Sequence, residues 1–482
     1  MKWAGWSWAA VVCLVFGTVS TLAWGQGAGP ATPGPGGSGV AGGSGGPPAG
    51  PPPPLDPSVT RVYAPLSGGM MAPEGLLYSP VALGAKSHIG IIVMHSDLNY
   101  MMFPACTALA KRGYRVLCVN KSTPPGGSLD RTIGDLKLAV NYLRHYPGIQ
   151  KVILLGHSGG ATLMTAYQYI AESGVQACQA AGKIHKCPDN LAGLPAADGV
   201  MLLDSNWGNA EMTLLSLDPS VVETDSGMRL NPYLDNFNPA NGFVAGGNSD
   251  YSPAFIQRFQ HAVAARERAL TQTALARVAA IEGGHGLYDD DEPFTVPGGS
   301  QFQNNNRLFP QDTRLMSHTV KAWPLLHKDG SITTQIVHSV RVPESNQRSS
   351  TPSLNQGAVK TTVRTFLTNY AIRVSDDFGF DEDSMHGVDW TSTYSSPPGN
   401  VESIHVPLLV MGMTGHYEYL ASETIYNLAS SHDKTLVFVE GANHGYQTCT
   451  RCEKFPGQFG DTEKTTYDYV DRWLSKPGRF RD

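Results

Sequence analysis

Hydrophobic positions along the chain follow two alternating rhythms. Nearly continuous apolar runs, "HIGIIVMHS" (His88–Ser96), "YRVLCVN" (Tyr114–Asn120), "KVILLG" (Lys151–Gly156) and "GVMLLDS" (Gly199–Ser205), have the length expected of strands covered on both faces. Between them the spacing lengthens to that of a helix. Met101–Arg112 ends at Gly113, Ile133, Leu136, Val140 and Leu143 repeat within Asp130–Arg144, and Leu163, Ala166, Tyr167 and Ile170 precede Gly174. Two shorter strands, Arg61–Ser67 and Gly75–Ala82, come first. The same rhythm returns late in the chain. Val406–Met413 and Lys434–His444 read as strands, Ser422–Ala429 as a short helix, and Thr462–Leu474 as a helix with Tyr467, Val470 and Trp473 on one side. Alternating strand and helix predict an α/β fold with a doubly wound, mostly parallel sheet.

The two halves are separated by Asn206–His405, whereas a parallel crossover needs only about a dozen residues. That stretch reads as an inserted cap or lid subdomain over 206–405. It has its own helical segment, Pro253–Ala280, and a hairpin turning at Asp329–Gly330. Its acidic runs, "YDDDE" (Tyr288–Glu292) and "DDFGFDED" (Asp376–Asp383), lack the alternating ligand pattern of a calcium loop and read as solvated loops.

The N-terminus sets the expected compartment. Lys2, an uncharged apolar stretch from Trp3 to Ala23 and small residues at Ala23 and Gly25 describe a secretory signal peptide over 1–25. An uncleaved membrane anchor is the alternative. A Gly/Pro-rich tract then predicts a disordered linker over 26–55, leaving core parts at 56–205 and 406–482. The chain is expected to be secreted or periplasmic, with no stable membrane insertion once the signal is removed. Beyond Cys13 there are six cysteines. Cys178 and Cys187 flank a short polar loop and read as a pair. Cys449 and Cys452 form a CxxC open to a local bridge, a redox pair or half a metal site, and Cys118 reads as a buried thiol within a strand. A net charge of −6 over 482 residues argues against a nucleic-acid partner.

Chemistry enters at Gly156-His157-Ser158-Gly159-Gly160, a G-x-S-x-G sequence where a strand becomes a helix. So tight a turn exposes a serine hydroxyl at the carboxyl edge of the sheet and demands neighbours with little side chain. Ser158 is therefore the candidate nucleophile, with the Gly159 amide at the helix start as an oxyanion donor. A serine needs a positioned base. His444, after the last strand in "EGANHG", occupies the right place, while His285 in the similar "EGGHG" lies within the insert. The acid that would orient His444 stays open between Glu418, favoured as the first carboxylate after the Val406–Met413 strand, Asp204 at the tip of the preceding strand, and Glu423.

This layout resembles the α/β-hydrolase superfamily over Ser58–Ser205 and from Val401 to the C-terminal helix. The resemblance implies Ser158 as nucleophile, His444 as base and an acid within "MGMTGHYEY". It also implies a second oxyanion donor after the third strand. There "MHSDLNY" carries Ser96 where glycine is usual, so the amide of Ser96 or Asp97 is expected to serve. The implied reaction is hydrolysis of a carboxylic ester, small or polymeric, through an acyl-enzyme, needing no metal and no organic cofactor. An amidase, peptidase or thioesterase on the same residues, or a non-catalytic binding protein, remains open.

Overall fold

The computed structural model describes residues 54–69, 72–299, 308–344, 349–355 and 357–480. The expected signal peptide over 1–25 and nearly all of the expected linker over 26–55 lie outside the described residues. In the first half of the core, β1 (Val59–Pro65), β2 (Glu74–Pro80), β3 (Ile89–Val93), β4 (Arg115–Asn120), β5 (Lys151–Ser158) and β6 (Gly199–Ser205) alternate with α1 (Pro104–Lys111), α2 (Leu129–His145) and α3 (Gly160–Ser173). The insert opens with α4 (Asn209–Ser216) and α5 (Pro253–Glu282) and contributes β7 (His318–Leu326) and β8 (Ile332–His338). Then β9 (Leu408–Met413), α6 (Ala421–Leu428), β10 (Lys434–Val439) and α7 (Thr462–Leu474) complete the core.

The strands form one ten-stranded sheet in the order β1-β2-β4-β3-β5-β6-β9-β10-β7-β8. It is parallel from β4 through β7, with antiparallel strands at both ends. Side chains alternate across a strand, and both faces are packed. Ile92, Leu154 and Leu202 join α2 and α3 in one core, while Ile91, Val93, Ile153, Leu155 and Leu203 join α1 and α7 in the other. This explains why the central strands read as unbroken apolar runs. Ser128 caps α2 by accepting from the Asp130 amide, and Asp461 caps α7 by accepting from the Lys464 amide.

The insert is not wholly a cap. Its hairpin β7–β8 is built into the main sheet, with Leu325 opposite Phe438 and Leu326 opposite Val439 of β10. Apolar residues at the end of β7 (Leu325, Leu326) make it a good edge for β10, and Glu423 secures it. That carboxylate accepts from the Val320 and Lys321 amides (2.9 and 3.1 Å) and from the Trp323 indole (2.6 Å). Glu423 is thus a structural clamp on β7, with its hydrogen bonds spent there and not on His444. The rest of the insert gathers around α5, whose Phe255, Phe259 and Val263 are buried. Glu292 of the acidic "YDDDE" is also buried, bound to Arg277 and accepting from the Leu287 amide, so this run is only partly a solvated loop.

Among the described residues three disulfides close local segments: Cys106–Cys118, Cys178–Cys187 and Cys449–Cys452, with Cα atoms 6.2, 5.6 and 5.2 Å apart. Cys118 is therefore not a free thiol. It faces α1, where Cys106 meets it, a pairing that the apolar pattern of β4 conceals.

Candidate active site

β5 ends at Ser158 with φ of 53°, the left-handed region that residues with a Cβ avoid. Each neighbouring glycine answers to a different contact. A Cβ on Gly156 would stand 2.8 Å from the Ala161 Cα, one on Gly160 would stand 2.7 Å from the Met94 carbonyl oxygen, and one on Gly159 would stand 2.8 Å from the Ser96 hydroxyl. Ser158 is paired with Ser205 on β6, so the adjacent tip carries Asp204 beside it. Asp204 also has a left-handed backbone, with φ of 47°.

Asp204 is fully buried. Its Oδ1 accepts from the Met413 amide at the end of β9 (3.0 Å), and its Oδ2 lies 2.7 Å from His444 Nδ1. Of the two candidate acids, Asp204 is the one that bonds to His444. Glu418 is buried in the loop after β9, but its Oε2 has no partner and it makes no hydrogen bond to His444. The physical reason lies in the sheet. β6 and β9 are neighbours, so the tip of β6 points its carboxylate across to the loop beyond β10, whereas Glu418 has already turned into the approach to α6.

His444 stands in a short closed loop. Ala442 bridges to Thr448, the Asn443 amide donates to the Gln447 carbonyl (2.8 Å), the Cys449 amide donates to the Gly441 carbonyl (2.8 Å), and Cys449–Cys452 ties off the end. His157, the unassigned residue of the motif, fastens this loop to β5. Its Nε2 donates to the His444 carbonyl (2.6 Å) while its Nδ1 accepts from the Tyr100 hydroxyl (2.7 Å). Burial, and after it the nearby His444, push the His157 pKa well below its ordinary value, which suits a neutral ring with this tautomer.

Burial alone would lower the His444 pKa. The hydrogen bond and charge of Asp204, joined by the charge of Glu418, outweigh it and raise the pKa. For Asp204, burial opposes ionisation, but hydrogen bonds and charges from His416 and His444 hold its carboxyl well below the usual range. Both directions describe a carboxylate that stabilises a ring when it takes a proton.

On the other side, the loop after β3 lies directly against Gly159. His95 is buried there, and its Nδ1 accepts from the Asp97 amide (2.9 Å) and the Leu98 amide (3.0 Å). The Asp97 amide, one of the two expected oxyanion donors, is therefore already engaged with His95. The Asp97 side chain braces the loop instead. It accepts from the Ser96 hydroxyl (2.9 Å) and the Gly126 amide (3.1 Å) and pairs with buried Lys121 (3.4 Å). His285 lies exposed at the end of α5 and has no part in this cluster.

His416, in the same loop as Glu418, had not been singled out. Its Nδ1 is 3.2 Å from the Asp204 Oδ2 that His444 also uses, and the two rings are 4.2 Å apart. The donor atoms of Asp204, His416 and His444 all lie within 4.8 Å of one another, a set able to hold a metal ion. The insert reaches the same edge of the sheet. Asn369 accepts from the Leu129 amide (2.8 Å) and donates to the Gly127 carbonyl (2.9 Å) after β4, and the Val340 amide donates to the Thr414 carbonyl (2.9 Å) after β9.

No protein-family model matches the sequence, and no curated protein matches it. Among solved structures, the chain is similar to an inhibited esterase B from Lactobacillus rhamnosis, at 17% identity and TM-score 0.27 over 33% of this chain and 53% of that one. It thus spans about half the length of that esterase. A hypothetical protein from Pseudomonas aeruginosa aligns at 12% identity and TM-score 0.38 over 87% of this chain and 94% of the other. A hormone-sensitive lipase from a metagenome library aligns at 11% identity and TM-score 0.39, covering 88% and 87%. Likenesses this low carry no function across.

Proposed function

We propose that the protein is a secreted serine hydrolase that cleaves carboxylic esters through an acyl-enzyme on Ser158. His444 takes the Ser158 proton as general base, and Asp204 holds the ring by its Nδ1 and stabilises the imidazolium that forms. The tetrahedral oxyanion is received by the Gly159 and Ser96 amides, each worth about 10²–10³ in rate. His444 then activates water to release the acid. Glu418 contributes charge to the base without touching it. The observation that carries this reading is the conjunction at one sheet edge of a left-handed serine after a strand, the neighbouring Asp204, and a histidine 2.7 Å from that carboxylate. A binding module has no use for that strained arrangement.

The ester is favoured because it is the commonest chemistry on this scaffold, an argument by analogy. Export is supported by the signal-like N-terminus together with three disulfides, which belong in an oxidising compartment. Among the described residues no helix is long and apolar enough to cross a membrane.

The test is hydrolysis of p-nitrophenyl esters from acetate to palmitate by the mature protein and by Ser158→Ala. Turnover by the wild type alone is expected, and the preferred chain length will measure the acyl pocket. An active Ser158→Ala protein, or an inert wild type, contradicts the proposal.

A further inference from the structure

Most serine–histidine pairs need one carboxylate serving one ring. Here two imidazoles converge on the same oxygen of Asp204, with His444 Nδ1 at 2.7 Å and His416 Nδ1 at 3.2 Å. The His416 nitrogen is buried and must share Asp204 Oδ2 with His444, at a longer distance and in a poorer direction than His444 has. Two imidazole nitrogens and a carboxylate oxygen are the donor set of zinc-type divalent ions.

We propose that Asp204, His416 and His444 form a zinc-type metal site whose occupation switches the triad off. The inhibitory part of this inference rests on the serine-hydrolase reading; the site itself does not. Around one Zn²⁺, ligand atoms at about 2.0–2.1 Å in tetrahedral array are roughly 3.3 Å apart. To reach this the two distances to Asp204 Oδ2 open by about 0.6 and 0.1 Å, and the two imidazole nitrogens, which lie within 4.8 Å, settle to the same spacing. The Met413 amide keeps Oδ1, so the carboxylate stays oriented with Oδ2 free for the ion. Glu418, buried with an unpartnered Oε2 and close enough for its charge to act on His444, makes the surroundings favourable to a cation. The side chains of His416 and His444 are 16% and 24% exposed, which leaves the ion a way in.

Catalysis and metal binding exclude each other through the tautomer. The working ring carries its proton on Nδ1, donates it to Asp204 and keeps the Nε2 lone pair for the serine proton. A metal on Nδ1 needs that lone pair, so the ring's single proton moves by way of solvent to Nε2. The ring stays neutral, no proton is lost, and the base has nothing left to accept with. No bond of the substrate is involved, and removing the ion with a chelator restores the first tautomer.

The test titrates Zn²⁺ calorimetrically into the full mature chain and into His416→Phe, His416→Cys and Asp204→Asn. A parallel titration with Co²⁺ records the visible absorption of a low-coordinate ion. The wild type and His416→Cys, which keeps a zinc ligand, are expected to bind; His416→Phe should bind at least about tenfold more weakly. Zn²⁺ should inhibit ester hydrolysis at the concentration where it binds, with reversal by chelator, and His416→Phe should shift both together. Equal affinity and equal inhibition in wild type and His416→Phe overturn the site, as does the absence of a Co²⁺ spectrum in the wild type. A chain that binds Zn²⁺ as described but hydrolyses no ester leaves the metal site standing and removes the hydrolase reading instead.

Discussion

At Ser158 geometry is set by backbone, while at Asp204 and His444 it is set by side chains. On the nucleophile side, three glycines stand where a Cβ would meet Ala161, Met94 or Ser96, and the turn has no room to relax. On the acid side, Asp204 is reached by an amide of β9, by His416 just beyond it and by His444, so its position depends on a network drawn from two other segments. A backbone device tolerates no added atom. A side-chain network tolerates substitutions that keep its hydrogen bonds and fails when one is lost.

The sharpest break of the comparison removes the nucleophile itself. Ser158→Ala is expected to lower turnover by about 10⁴-fold or more while the fold persists, checked by ester kinetics beside circular dichroism. Next comes the contrast between the two acids. Asp204→Asn should cost up to about 10⁴-fold in kcat, because an amide turns the ring to the wrong tautomer. Glu418→Gln should cost less than about tenfold. Equal losses would return the orienting role to Glu418. On the backbone side, Gly160→Ala forces a methyl against the Met94 carbonyl and is expected to destabilise by about 1–3 kcal/mol, read as a fall in denaturant midpoint with unchanged slope.

The smallest effect is in the pH profile. In the proposed reaction His444 acts as a base only when neutral, and its pKa is raised above the ordinary 6.5, so kcat/KM should fall as pH drops through a value above that figure. Glu418→Gln removes one of the charges that raise it and should move the acid limb downward. A limb unmoved in this variant would show that Glu418 is not felt by the base.

The same contrast explains what the sequence allowed to be read. The strands and helices of the core were legible because both faces of the sheet are apolar, giving runs such as "GVMLLDS" that need no partner to be recognised. Gly156-x-Ser158-x-Gly160 was legible because a local turn dictates local residues. The carboxylate that meets His444 was not, since finding Asp204 there and not Glu418 requires knowing that β6 lies between β5 and β9. The engagement of the Asp97 amide depends on how the His95 ring folds back over its own loop, which spacing does not encode. His157 and His416 lay inside quoted stretches, but a histidine's partner is invisible until the chain closes. The hairpin Asp329–Gly330 was recognised as a turn, while its place at the sheet edge beside β10 was hidden by the length of the insert.

The most direct test of the proposed nucleophile is labelling of the purified protein with a fluorophosphonate, followed by peptide mapping of the adduct. One adduct is expected, on Ser158, formed rapidly by the wild type and by Glu418→Gln but very slowly by His444→Ala and Asp204→Asn. Labelling at another serine, or rapid labelling of Ser158 without Asp204, would contradict it.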